Sequence, residues 1–287
     1  MLKVYSKDSF GEFKNRIEFD VWQFPGGEQG IKLKDPSLVE KDSLQEDCEF
    51  LITWEYEGDS EIFLLALLVD ALKGAGARSY QINLSTVYLP YARQDRRCHP
   101  GESFSLNVLA NFLNSLNLRE VWTYDVHSGV AKDRIENFQS ISQDAILDLE
   151  FLEEFDDADL LIAPDKGAFA KFERSELYSS KPSIYLTKTR KDGKVEYEDL
   201  SPERLEGYET ALVIDDICDG GATFIALAEK VHKANPDIKL QLYVTHGIFS
   251  KGLLELKKHY SKIMCFYLMN RELQGADGLI YRNVKGD

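Results

Sequence analysis

Short runs of β-branched and aromatic residues alternate along the chain with longer stretches in which apolar residues recur every three to four positions. The short runs predict strands over Glu49–Glu55, Gln81–Leu89, Glu120–Asp125, Leu160–Pro164, Ser183–Lys188, Ala211–Asp216, Leu240–His246 and Ile263–Leu268. Helical periodicity falls at Ser60–Lys73, Ser103–Ser115, Ser142–Phe151, Thr223–Ala234 and Lys251–Lys258. Such alternation predicts an α/β protein whose mainly parallel sheets are flanked by helices. Asp59 ahead of Ser60 and Glu61 marks a helix start, and Gly74 to Gly76 its stop. The acidic, poorly patterned stretches Glu150–Asp159 and Lys191–Gly207 read as surface connections. A boundary near Asn137 divides the chain into residues 1–137 and 138–287, each long enough to bury its own core.

Composition narrows the function more than the fold. With 44% hydrophobic and 29% charged residues the chain is of the soluble globular kind. Lys and Arg number 34 against 49 Asp and Glu, and the net charge of -15 disfavours nucleic acid and anionic membranes as partners. Binding of an anionic ligand therefore requires a local cluster of cations, and one stands at Arg93 to Arg97. The four cysteines lack CxxC spacing, so neither a zinc site nor a disulfide framework is expected. The opening MLKVYSKDSF lacks the layout of a signal peptide, and no apolar run is long enough for a membrane span. A cytoplasmic protein is the expectation.

Several segments carry chemistry. In ALVIDDICDGGATF (211–224) an apolar strand ends in carboxylates, and a Gly-rich turn then opens a helix. Backbone N–H groups at such a turn cradle a phosphate, while carboxylates suit sugar hydroxyls and magnesium. Gly-rich turns alone are weak evidence, and the adjacent Asp215 and Asp216 strengthen it. In YLPYARQDRR (88–97) arginine forks offer bidentate phosphate contacts, and Gln94 can read a purine or ribose edge. TYDVHS places His127 two residues after Asp125 at a strand end, and LIAPDKGAFAKF places Asp165 in a strand-end turn. In LTKTRKDGKVEY, Lys188 and Arg190 lie two apart on an extended segment, where alternation gives both the same side. VWQFPGGEQGIKL offers Phe24 as a ring to stack on a base. His99, His232 and His259 are read as structural, as is His246 in THGIFS.

These segments, in this order from Phe24 to Ser250, resemble the ribose-phosphate pyrophosphokinases, and PYARQDR sets that family apart from ordinary phosphoribosyltransferases. The resemblance implies two related phosphoribosyltransferase-like (type I) domains with the active site between them. It implies magnesium-dependent transfer of the β,γ-pyrophosphoryl group of ATP to the 1-hydroxyl of ribose 5-phosphate, with AMP leaving. It also implies a homo-oligomer, a dimer or hexamer, in which a neighbouring chain completes the adenine pocket.

By the same resemblance Lys188 and Arg190 are catalytic, and Phe24, Glu28, Arg93, Gln94, Asp95 and His127 bind ATP. Asp165, Asp215, Asp216, Asp219, Gly220, Gly221, Ala222 and Thr223 hold the ribose phosphate, with His127 and Asp165 at the metal. The chain departs from the family pattern where Gly220 replaces Thr, Ala222 and Ala168 replace Gly, and Gly26 stands at an Asp or Asn position. Basic residues that the family carries near Gly101 and Asn107 are absent. Two other readings follow from these departures: an acceptor with a larger 5-substituent, such as ADP-ribose, or a catalytically silent regulatory or scaffolding relative.

Overall fold

Two hydrophobic cores form, each around its own six-stranded sheet. The computed structural model describes residues 1–8, 12–45, 47–191 and 194–282, and the side chains of residues 190, 191, 194 and 195 fall outside that description. The chain divides into Met1–Ile141 and the residues from Ser142 onward. Asn137 directly precedes a strand that pairs with Glu120–Tyr124, and this pairing carries residues 138–141 into the first unit.

The first unit contains β1 (Leu2–Lys7), β2 (Phe13–Ile17), β3 (Phe19–Gln23), β4 (Gln29–Leu33), α1 (Pro36–Ser43), β5 (Glu49–Trp54), α2 (Ser60–Gly74), β6 (Ile82–Thr86), α3 (Ser105–Ser115), β7 (Glu120–Tyr124), α4 (Val130–Arg134) and β8 (Phe138–Ile141). Its sheet runs β2-β1-β5-β6-β7-β8. Strands β5 to β8 are parallel, and β1 is antiparallel to β5 and β2. On β5 the side chains of Phe50, Ile52 and Trp54 are wholly buried while their neighbours are half-buried, the period of two that the sequence shows. On α2 the buried residues Leu65, Leu68, Val69 and Leu72 form the stripe that meets the sheet. Strands β3 and β4 stand apart as a two-stranded hairpin.

The second unit contains α5 (Gln143–Glu150), α6 (Leu152–Asp156), β9 (Leu160–Ala163), α7 (Lys166–Phe172), α8 (Glu176–Ser179), β10 (Ser183–Tyr185), β11 (Lys188–Lys191), β12 (Lys194–Tyr197), β13 (Thr210–Cys218), α9 (Ala222–Ala234), β14 (Lys239–Gly247), β15 (Tyr260–Leu268) and β16 (Leu279–Tyr281). The sheet order is β10-β9-β13-β14-β15-β16, parallel throughout. The chain moves from β9 outward to β10, then returns to the other side of β9 with β13. That reversal makes the β9/β13 crevice the topological switch point, the usual ligand position in an open α/β sheet.

Three sequence expectations are corrected. Lys251–Lys258 is not a helix: Gly252 adopts a φ of +70°, and a single 3₁₀ turn over Leu256–Lys258 follows. Glu150–Asp159 is not a bare connection, because α6 and the turn before it bury Phe151 and Phe155 to 1% exposure. The Ser183–Lys188 strand is split: Ser183–Tyr185 joins the main sheet, while Lys188 belongs to the separate β11/β12 hairpin.

Trp54 closes the first core, and its indole Nε1–H donates to Glu61 Oε2 at 3.1 Å, tying the end of β5 to the first turn of α2. Trp54→Ala is expected to destabilise the first unit by about 3–5 kcal/mol. Urea unfolding with hydrogen exchange on that sheet reads the loss.

Candidate active site

In the first unit the candidate residues hang from the carboxyl ends of two adjacent parallel strands, β6 and β7. The connection leaving β6 is pinned early: Tyr91, at a φ of 62°, donates its hydroxyl to Asp59 Oδ1, which also accepts from Tyr56 at 2.6 Å. The Gln94 N–H donates to the Tyr91 carbonyl at 2.9 Å, and its side-chain oxygen accepts from the Ser105 hydroxyl. Glu102 then gathers the following turn, its Oε2 accepting from the N–H groups of Cys98 at 2.7 Å and His99 at 3.0 Å. After β7 the chain bends at Asp125, which is buried with a φ of 38° and donates its N–H to Ile141 at 2.7 Å. His127 follows at the surface.

These turns enclose a cleft of about 440 Å³ lined by Arg93, Gln94, Asp95, Arg96, Cys98, Glu102, Ser103 and His127. Four of the residues named from sequence, Arg93, Gln94, Asp95 and His127, therefore meet in one place. Asp95 is held below the usual carboxylate range, first by its hydrogen bonds from Arg96, with a further hydrogen bond from Ser128 and with burial opposing. The fork is bidentate, Arg96 Nε to Oδ1 at 2.8 Å and Nη2 to Oδ2 at 3.2 Å. Phe24 and Glu28 do not line this cleft. They close the tip of the β3/β4 hairpin, with the Phe24 N–H donating to Glu28 at 2.7 Å and the Phe24 ring edge-on to Trp22 at 5.8 Å.

In the second unit one strand organises the site. β13 pairs with β9 from Ala211 to Val213 but continues to Cys218 alongside β14. Asp215 and Asp216 thus lie inside the strand, not at its end, yet beyond the stretch that pairs with β9. Asp165 caps α7, its Oδ1 accepting from the N–H groups of Gly167 at 2.9 Å and Ala168 at 3.0 Å. Its Oδ2 lies 3.6 Å from Lys188 Nζ. Burial, and then the neighbouring Asp216, push the Asp215 carboxyl well above the ordinary value. The Asp219–Thr223 segment carries the turn into α9, with Gly221 in the left-handed region at φ +79° and no side chain capping the helix. The N–H groups of the first α9 residues have no intrahelical acceptor and no capping side chain. Arg190 lies on β11, paired with Val195, and its side chain is outside the described residues. Among the described residues no three His, Cys, Asp or Glu side chains converge as a metal cluster.

Residues 15–116 match the family model for the N-terminal domain of ribose phosphate pyrophosphokinase. The chain is 29% identical over 222 residues to the ribose-phosphate pyrophosphokinase of Mycoplasmopsis pulmonis, covering 75% of this chain and 67% of that one. It is 25% identical over 244 residues to the Thermococcus kodakarensis enzyme of the same name, covering 83% and 81%. The chain is similar to the ribose-phosphate pyrophosphokinases. Its fold is that of the phosphoribosylpyrophosphate synthetase of Mycobacterium smegmatis, with a TM-score of 0.73 over 93% of this chain and 86% of that one at 18% identity.

Against the pyrophosphokinase pattern the structure adds residues that sequence reasoning missed. Glu102 shapes the 97–102 turn through two backbone amides, a contact between residues three and four apart that no motif marks. Tyr197 faces Lys188 across the β11/β12 hairpin and is 4% exposed. Its hydroxyl has no hydrogen-bond partner among the described residues, and burial, Asp165 and Asp215 all disfavour its ionisation. A buried hydroxyl without a partner is an exception among native polar groups. The register of the hairpin, invisible in the sequence, is what sets Tyr197 opposite Lys188.

Because Asp215 titrates higher in the folded chain than in the unfolded one, its charge costs stability as pH rises through that interval, and the full cost persists above it. Asp215→Asn is expected to melt above the wild type at pH 8 and level with it near pH 4. Calorimetry reads the difference, with about 2–4 °C for each kcal/mol.

Proposed function

We propose that this protein transfers the β,γ-pyrophosphoryl group of ATP to the anomeric hydroxyl of ribose 5-phosphate or a related 5-substituted ribose. The observation that carries the reading is the convergence of Arg93, Gln94, Asp95 and His127 in one cleft, from two segments more than thirty positions apart, on a chain similar to the ribose-phosphate pyrophosphokinases. The Arg93 guanidinium suits a phosphate oxygen pair, and Gln94, steadied by Ser105, presents its amide N–H groups to the nucleotide. Asp95 holds Arg96 in its fork and so positions the cleft wall.

In the second unit the first amides of α9 and the turn from Asp219 receive the sugar's phosphate, and Asp215 and Asp216 accept from its hydroxyls. The ribose 1-oxygen attacks the β-phosphorus, losing its proton as the new bond forms. The bond from the β-phosphorus to the oxygen of the α-phosphate breaks, and AMP leaves with that electron pair. Lys188, held on Asp165 at 3.6 Å, needs only to exchange one anion for another to neutralise the transferring group, with Arg190 as its companion on β11.

Magnesium belongs to the same reading. Two crowded carboxylates, one of them pushed toward protonation by burial and by its neighbour, offer hard oxygen donors of the kind this ion takes one or two at a time alongside phosphate oxygens. Asp165 and Asp216 are the second-unit side chains that would hold it, and it would supply charge neutralisation on the polyphosphate. Assembly with further copies through the exposed Val21, Trp22 and Phe24 of the β3/β4 hairpin completes the proposal. No helix among the described residues is long and apolar enough to cross a membrane.

Incubation with magnesium, ATP and ribose 5-phosphate is expected to release AMP and phosphoribosyl pyrophosphate in equal amounts, and a chelator is expected to stop it. Lys188→Ala should lower kcat by about 10²–10³-fold, the usual loss of one transition-state donor. Full activity in that variant would overturn its catalytic role.

A further inference from the structure

We propose that Lys251 is the residue that grips the anionic 5-substituent of the sugar acceptor, an inference that rests on the turn from Asp219 to Thr223 being the sugar-phosphate loop. After β14 the chain folds back onto the end of β13. The N–H groups of Ile248 and Phe249 both donate to the Cys218 carbonyl, at 2.9 and 3.0 Å. Ser250 then donates twice to Asp219, from its N–H to the carbonyl at 3.2 Å and from its hydroxyl to Oδ1 at 2.6 Å. Four hydrogen bonds thus fasten the residues just before Lys251 to the turn that opens α9. The fold-back is tight: Phe249 is fully buried at a φ of 44°, and a Cβ on Gly247 would stand 2.2 Å from its ring.

Lys251 emerges from this fixed segment directly over Gly220. Its Cδ and Cε lie 3.4 Å from the place a Gly220 Cβ would occupy. An added methyl there would only touch the lysine stem, whereas the further atoms of a threonine would fall into it. Glycine at 220 and lysine at 251 therefore suit each other as a pair. The Lys251 ammonium has neither a hydrogen bond nor an ion pair among the described residues.

Charge explains what such a cation does. The strand and turn carry Asp215, Asp216 and Asp219 and no basic residue, while the amide end of α9 offers only a partial positive charge. A phosphate arriving there brings a charge of about -1.5 to -2. Tyr197, more than nine-tenths buried on the strand opposite Lys188, is a further polar group of this unit whose hydroxyl is unsatisfied among the described residues. Lys171 acts on Asp215 and Lys188 rests near Asp165, whereas Lys251 brings a full charge to the turn itself on a four-carbon stem, and its ammonium can follow either one phosphate or a diphosphate as the substituent lengthens.

The test uses the full chain and measures binding and turnover separately. Calorimetric titration with ribose 5-phosphate, ADP-ribose and unphosphorylated ribose is made on the wild type, Lys251→Met, Lys251→Arg and Gly220→Thr. Lys251→Met is expected to weaken at least one phosphorylated acceptor by about ten- to a hundredfold and to leave ribose itself unaffected. Lys251→Arg should restore most of the loss, and Gly220→Thr should reproduce it by displacing the stem. In turnover the loss should fall on the KM for acceptor and not on the KM for ATP. Which of the two ligands suffers more identifies the natural 5-substituent. Equal affinity of wild type and Lys251→Met for both overturns the proposal, and so does failure of the wild type to bind either. If the wild type binds acceptor through Lys251 but forms no AMP, the anchor stands and pyrophosphoryl transfer falls. If AMP forms and the Lys251→Met KM is unchanged, the reverse holds.

Discussion

The unequal lengths of neighbouring strands in a parallel sheet govern the second unit. β13 continues past the last residue that it pairs with on β9, and the position of Asp215 and Asp216 depends on that overhang. Strand pairing on the β14 side keeps the overhang rigid, while the β9 side is left open to the turn that carries Asp165. Two adjacent carboxylates can then be held in a fixed backbone and still face a ligand. The raised protonation range of Asp215 is the energetic signature of that arrangement, since burial and a like-charged neighbour both oppose its charge.

In each unit a cation among the candidate residues is stored on a carboxylate. Lys188 rests near Asp165, and Arg96 lies in the fork of Asp95. In a chain of net charge -15 this storage keeps local positive charge available without leaving it uncompensated. Partly exposed pairs of this kind contribute little to stability, so a polyphosphate displaces them at small cost. Lys251 differs from these two in having no carboxylate partner, in keeping with a role in which its position comes from its stem and from the backbone before it.

Much of the fold was legible from periodicity. The buried β5, β6, β7, β13, β14 and β15 and the helices α2, α3, α5 and α9 coincide with predicted runs to within a few residues, because burial on a sheet or a helix face imposes a period on the chain. Elements whose stability comes from elsewhere were missed. β1 and β2 are held by antiparallel partners, and α6 by Phe155 packing against Tyr178 at a ring distance of 6.3 Å. The expected helix at Lys251–Lys258 failed because a left-handed glycine and the fold-back onto β13 outweighed helical propensity.

The sequence by itself determined which chemistry is available: the arginine and glutamine of PYARQDR, the histidine of TYDVHS, the lysine of LTKTR and the acidic pair before a glycine turn are local strings. Only the tertiary structure decided which of them share a place. It gathered Arg93, Gln94, Asp95 and His127 in one cleft and left Phe24 and Glu28 on a hairpin tip. It also placed Tyr197 opposite Lys188 and Lys251 over Gly220. Motifs record covalent neighbours, whereas register, strand overhang and chain reversal bring together residues that are distant in the chain, and those depend on pairing energies summed over whole strands.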